Sequence, residues 1–246
     1  MPYRIFSKPE SFERTMNNYH TLFGERRNTY HFLSGFYLRP PTSSMLAMIK
    51  EKGSTAFLPA DDESLTSPWV DEIDKFREEL MAMADPTAEM EAEHTSLFVL
   101  PSGVLPHEAV YLDEKKRLGG KITMAVAEFY RNAAIEISDT CIEMPDHLGM
   151  ELEFMARLCR LAAVFHEEND QTSLQLCLKL QQEFMNRHLG LWATQCCNEI
   201  LSQARYGLYR AVAMITLSFL AAENEHLQEC LEQTGKENWL WESSTV

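Results

Sequence analysis

Pro145-Asp146-His147-Leu148-Gly149-Met150-Glu151-Leu152-Glu153-Phe154-Met155 is a polar corner that feeds straight into an apolar helix. An acid behind a proline is a helix-opening signal, because its carboxylate can accept from the N–H groups that a first turn leaves without partners. Capping would account for Asp146. It would not account for an ionisable His147 beside it, and the pair has no obvious task in the fold. From this corner onward the apolar spacing reads as helix upon helix, over 148–165, 174–188, 192–201 and 206–231.

The chain before the corner has the same texture. Tyr30, Leu33, Phe36 and Tyr37 recur at helical spacing over 26–38, and Pro40-Pro41-Thr42 stops that helix and offers a cap for 43–49. The twin arginine Arg26-Arg27 falls in the first turn, where both side chains are expected in solvent. Trp69, Ile73, Phe76, Leu80 and Met83 mark another helix, closed by Asp85-Pro86, after which Thr87 is expected to cap a helix carrying Met90, His94, Leu97 and Phe98 on one face. Gly119-Gly120 permits a sharp turn before Ile122, Ala125, Val126, Phe129, Tyr130, Ala133 and Ile137 resume the period. No alternating run is long enough for a sheet, and 10 glycines serve many turns. The expectation is an all-α fold, a helical bundle of two half-bundles joined by a hinge. Its parts are a lead-in (1–22), an N-terminal half (23–138), the hinge (139–146), a C-terminal half (147–235) and a tail (236–246).

Composition narrows the function classes. At 246 residues and 45% hydrophobic content the chain can bury a substantial core. Its 22 basic and 37 acidic residues leave a net charge of −15. Such a field repels nucleic acid and anionic membrane and attracts a basic partner, although it also serves solubility alone. Cys141, Cys159, Cys177, Cys196, Cys197 and Cys230 form no CxxC pair and read as reduced thiols, which fits a cytoplasmic protein. No apolar run is long enough for a stable membrane span, and the start lacks the apolar core of a signal peptide. No zinc-binding spacing, HExxH, GxxxxGK[ST] or GxGxxG is present, so neither a metal nor a cofactor is expected.

Three blocks in order carry a resemblance: Glu93-His94-Thr95-Ser96-Leu97-Phe98, then Pro106-His107-Glu108-Ala109-Val110-Tyr111, then the corner from Pro145. With His188-Leu189-Gly190-Leu191-Trp192 and Tyr206 to Ala211, the chain from 26 to 231 resembles the TorD/DmsD/NarJ family of chaperones for molybdenum-containing redox enzymes. His94 replaces the family's aromatic residue and Ala109 its serine. The resemblance implies a TorD-like fold, a non-enzymatic role, and a system-specific cytoplasmic chaperone. Its partner would be the signal peptide and the folding apo-form body of a molybdopterin-containing oxidoreductase subunit, held during cofactor insertion before twin-arginine export. A NarJ-like assembly factor for a client that stays in the cytoplasm is the alternative, and a small helical enzyme using Asp146-His147 a more remote one. The peptide-binding residues so implied are Asp146, His147, His94, Leu97, Phe98, Glu108, Tyr111 and Gly120. For the stripe His94, Leu97 and Phe98 the competing reading is core, and for Gly120 a turn. The polar connection between two apolar bundles further suggests a homodimer formed by domain swapping.

Overall fold

The computed structural model describes the backbone of residues 19–57, 67–137 and 142–243 and the side chains of 21–57, 67–137 and 142–234. Most of the expected lead-in and residues 139–141 of the expected hinge, Cys141 among them, lie outside the described residues. Among the described residues ten α-helices follow in order: α1 (Tyr19–Leu38), α2 (Ser43–Lys52), α3 (Pro68–Ala82), α4 (Pro86–Phe98), α5 (Glu108–Leu112), α6 (Lys121–Asn132), α7 (Leu148–Glu167), α8 (Gln171–Arg187), α9 (Leu189–Gln203) and α10 (Gly207–Ser243). A 3-10 turn over Gly53–Ala56 continues α2. Among the described residues there is no strand, only one isolated antiparallel bridge between His107 and His147.

The helix starts follow local chemistry. Thr42 caps α2 as expected, its hydroxyl accepting from Met45 N at 3.3 Å. Asp85, not Thr87, caps α4: its carboxylate accepts from Ala88 N at 3.1 Å, and Pro86 takes the first helical position, where a missing N–H costs nothing. Asp170 caps α8 through Ser173 N at 3.0 Å. α6 stops at Asn132 rather than running to 137, because Ala134 turns into the left-handed region at φ 55°. α10 continues to Ser243, well past the end that apolar periodicity suggested.

The packing is strongly non-local. α1 lies along α7, and α10 packs against α3, α8 and α9. Gly149 lets α1 and α7 approach closely. A Cβ there would sit 2.5 Å from Leu38 Cγ and 3.1 Å from the Ser34 carbonyl. Both halves of the sequence therefore share one continuous core, with Phe23, Tyr30, Leu33 and Tyr37 of α1 as buried as Leu152 and Met155 of α7. Five cysteines are free and buried, and burial pushes Cys159 and Cys197 up to about 12, which suppresses thiolate chemistry.

The expectation that both arginines of the twin pair are solvated is half wrong. Arg27 is exposed, but Arg26 has 0% exposure and crosses the core to α10 and α8. Its Nη2 and Nε donate to Glu223 at 2.8–3.0 Å, and Nη2 also donates to Gln181 Oε1 at 2.7 Å. An isolated guanidinium could not be buried here; one with a bidentate carboxylate can. The partner lies 197 residues away, beyond any local pattern.

Candidate functional site

The corner is built by two loops zipped together. Glu108 N donates to the Asp146 carbonyl and Leu148 N to the Pro106 carbonyl, each at 2.8 Å, which makes the His107–His147 bridge. The Tyr130 hydroxyl of α6 donates to the Pro145 carbonyl at 2.8 Å and ties α6 to the same point. Residue 147, not 146, starts α7: His147 Nδ1 accepts from Gly149 N at 3.1 Å. That bond requires an unprotonated Nδ1. Burial, then the nearby His107 and His94, push His147 down to about 3, so the ring is neutral.

Asp146 caps a different helix from the one it precedes. Its side chain has 0% exposure, and Oδ2 accepts from Ala109 N at 3.1 Å in the first turn of α5. Oδ1 faces His107 Nδ1 at 3.7 Å, an ion-pair separation too long for a hydrogen bond. Burial raises this carboxyl, but His107, the Ala109 N–H and Thr123 outweigh it and hold Asp146 below the usual range.

Glu108 opens a second polar chain on the other side of α5. It is almost fully buried, and His188 Nδ1, at the junction of α8 and α9, lies 3.1 Å from both of its oxygens. Glu151 of α7 faces Glu108 with 0% exposure, and its Oε2 accepts from Trp192 Nε1 at 3.1 Å. Burial first, and Glu108 next, raise the Glu151 carboxyl well above the usual range. Tyr111, half-buried, stacks on Trp192 with ring centroids 5.3 Å apart and donates its hydroxyl to Glu199 Oε2 at 3.0 Å.

The structure thus brings Asp146, His147, Glu108 and Tyr111 together around α5, with Gly120 at the start of α6, where φ 85° demands a glycine. His94 stands near enough to His147 to depress it, while its ring packs edge-on against Phe98 at 5.1 Å. Leu97 and Phe98 point into the core, Phe98 against Tyr37 and Tyr209. His107, Glu151 and His188 stand in the motif blocks but are not among the binding residues that the resemblance implies. The available signal was Glu151, an acid on the apolar stripe of α7 that also carries Leu148, Leu152 and Met155.

His107 faces Asp146, as a catalytic reading would want, but both are buried and His147 spends its Nδ1 on its own helix. Among the described residues no group of three or more His, Cys, Asp or Glu can hold a metal ion. Fold and site together define a protein that is helical throughout its described residues, with a buried polar centre that organises backbone at the starts of α5 and α7.

A family model, the nitrate reductase delta subunit, matches residues 62–198, more than half of the chain. The chain belongs to that family, the TorD/DmsD/NarJ chaperones of molybdoenzyme maturation. It is similar to the chaperone protein TorD of Vibrio cholerae (strain O395), with 25% identity over 214 residues covering 85% of this chain and 95% of that one. The TorD chaperones of Vibrio atlanticus (22% identical, covering 82% of this chain and 94% of that one) and Aliivibrio salmonicida (23%, covering 86% and 99%) are similar over comparable lengths.

Proposed function

We propose that this chaperone serves a molybdopterin-containing oxidoreductase subunit in the cytoplasm, binding its leader and folding body until cofactor insertion is complete. The observation that carries the reading is the set of exposed apolar side chains on α5, α6 and the segments next to the corner in sequence. Leu112, Leu118, Met124 at 70% exposure, Met144 and Ile142 at 94% exposure all stand in solvent on α5, α6 and the segments beside them. Unbranched, polarizable methionines suit an apolar segment of variable sequence, and a net charge of −15 draws a basic one. Asp146 and His147 themselves are buried. A client arginine would reach Asp146 only by displacing the first turn of α5, so their part in binding is to set the position of α5.

The buried placement of Asp146 also favours the NarJ-like alternative, in which an N-terminal client segment without paired arginines is recognised. Calorimetric titration with three leader peptides separates the two. The twin-arginine form should bind tightest, the lysine form more weakly and the alanine form weakest, because lysine keeps the charge and loses bidentate geometry. Equal affinity for all three would transfer the assignment to the alternative. A homodimer formed by exchanging halves is part of the same proposal, supported by the way α1 and α7 interlock across the connection.

A further inference from the structure

Several carboxylates around α5 are already committed. Asp146 caps the helix, Glu108 and Glu151 are buried, and Asp113, just past its end, lies 3.6 Å from Arg117 Nη2. Glu199 of α9 is different. It is partly exposed, and among the described residues it is paired with no arginine, lysine or histidine. Its Oε2 accepts from the Tyr111 hydroxyl at 3.0 Å, and Tyr111 is itself fixed by its stack on the buried Trp192. A surface glutamate ordinarily samples many rotamers, and ordering it opposes binding. Here the carboxylate is ordered before anything arrives. The hydroxyl occupies one acceptor position on Oε2, which leaves positions on both oxygens for donors from outside. Partial burial strengthens any charge-assisted hydrogen bond made there.

α5 and α9, which pack on one another, also carry Leu112 and Leu191, each next in sequence to a member of the stack and each exposed. The two helices thus offer a fixed carboxylate and apolar surface, which matches a segment with a basic residue ahead of apolar ones. We propose that Glu199 is the specificity-determining residue for the basic part of a client segment, accepting its guanidinium group in a bidentate pair, and that Tyr111 is the positioning residue that holds it. The assignment rests on the client reading above, and it moves the charge contact from buried Asp146 to a carboxylate that a peptide can reach. Asp146 then acts at a distance: it caps the first turn of a short helix whose fourth residue is Tyr111, so the cap sets where the Tyr111 hydroxyl and the Glu199 carboxylate stand.

The test is a double-mutant cycle, read by calorimetric titration of the full chain with leader peptides that carry arginine, lysine or alanine at the paired basic position. In wild type, alanine in place of arginine should weaken binding about ten-fold or more, the range of charge-assisted hydrogen bonds. Against Glu199→Gln the same replacement should matter far less. Glutamine keeps an oxygen that accepts from Tyr111, so thermal melting should be unchanged. Tyr111→Phe retains the ring and loses the hydroxyl; it should shrink the preference for arginine over lysine, because a carboxylate free to turn no longer matches a planar fork. Glu78→Gln, exposed on α3, removes the same unit of charge elsewhere and should preserve the full loss on going from arginine to alanine. A Glu199→Gln protein that separates arginine from alanine as wild type does, or a Glu78→Gln protein that loses the distinction equally, overturns the assignment and leaves the client reading standing. Wild-type discrimination in Tyr111→Phe overturns the positioning role. Equal binding of all three peptides by wild type overturns the assignment in favour of a client without paired arginines, and failure of every peptide to bind removes the client reading and the assignment with it.

Discussion

Arg26 and Glu223 hold each other in the core, and neither is tolerable alone. Arg26→Met should cost about 3–5 kcal/mol in urea unfolding, because it strands a buried carboxylate. Arg26→Met combined with Glu223→Leu should recover most of that loss. Burial raises Glu223, yet Arg26 and His226 bring it down to about 2, so its contribution is complete above the ordinary carboxylate range and fades as pH falls toward 2. His147 and Glu151 act in opposite directions. His147 is held neutral, with its affinity for a proton depressed, so stability drops as pH falls below the ordinary histidine range. Glu151 is held protonated, so stability drops as pH climbs above the ordinary carboxylate range. His147→Asn keeps a helix cap and should flatten the acid limb in melting scans between pH 7.5 and 5.5, conditions chosen around the free histidine value of roughly 6.5. Glu151→Gln should gain on wild type as pH rises. Parallel pH profiles for wild type and either variant would refute the assigned proton state of that residue.

At the scale of elements, α10 begins where carboxylates from other helices meet it. Glu93 Oε1 of α4 accepts from Arg205 N at 2.6 Å, and Glu79 Oε2 of α3 accepts from Gly207 N at 3.0 Å. Negative charge at a helix N-terminus is favourable twice over, through the orphan donors and through the dipole. Glu93→Ala should therefore cost about 1–3 kcal/mol, with amide exchange at the start of α10 accelerating more than elsewhere. Gly149→Ala should force α1 off α7 and lower the melting temperature, since the added Cβ meets Leu38 and the Ser34 carbonyl. These cases mark what a single sequence discloses. Helix existence was legible because apolar residues at 3.6 spacing must face a core, and Thr42 could be read as a cap from its neighbours alone. The cap duties of Asp146 and Glu93 were not legible, because each serves a helix distant in sequence: Asp146 turns to Ala109, and Glu93 to Arg205. The gathering of Glu108, Tyr111 and Asp146 around α5 came from the ordered motif blocks. Glu151 and His188 stayed hidden because their partners were set by packing, not by spacing.

Across the whole molecule, charge governs encounter. A leader drawn by a field of −15 should associate more slowly as salt is added, with dissociation little changed, in stopped-flow fluorescence. Exchange of halves should appear in light scattering as a dimer that forms at high concentration and relaxes slowly on dilution; a monomer at every concentration would remove that part of the proposal. The interlocking of α1 with α7 bears on how the chain is made. A ribosome delivers α1 first, yet the surface that α1 needs arrives more than a hundred residues later, and Glu223, the counter-ion of Arg26, emerges close to the end. Until then the nascent chain carries an unpaired arginine and an open apolar seam. This chaperone cannot finish its own fold vectorially: arrested chains ending before α7 should be cut readily by protease along α1, and protection should appear only once α10 has left the exit tunnel.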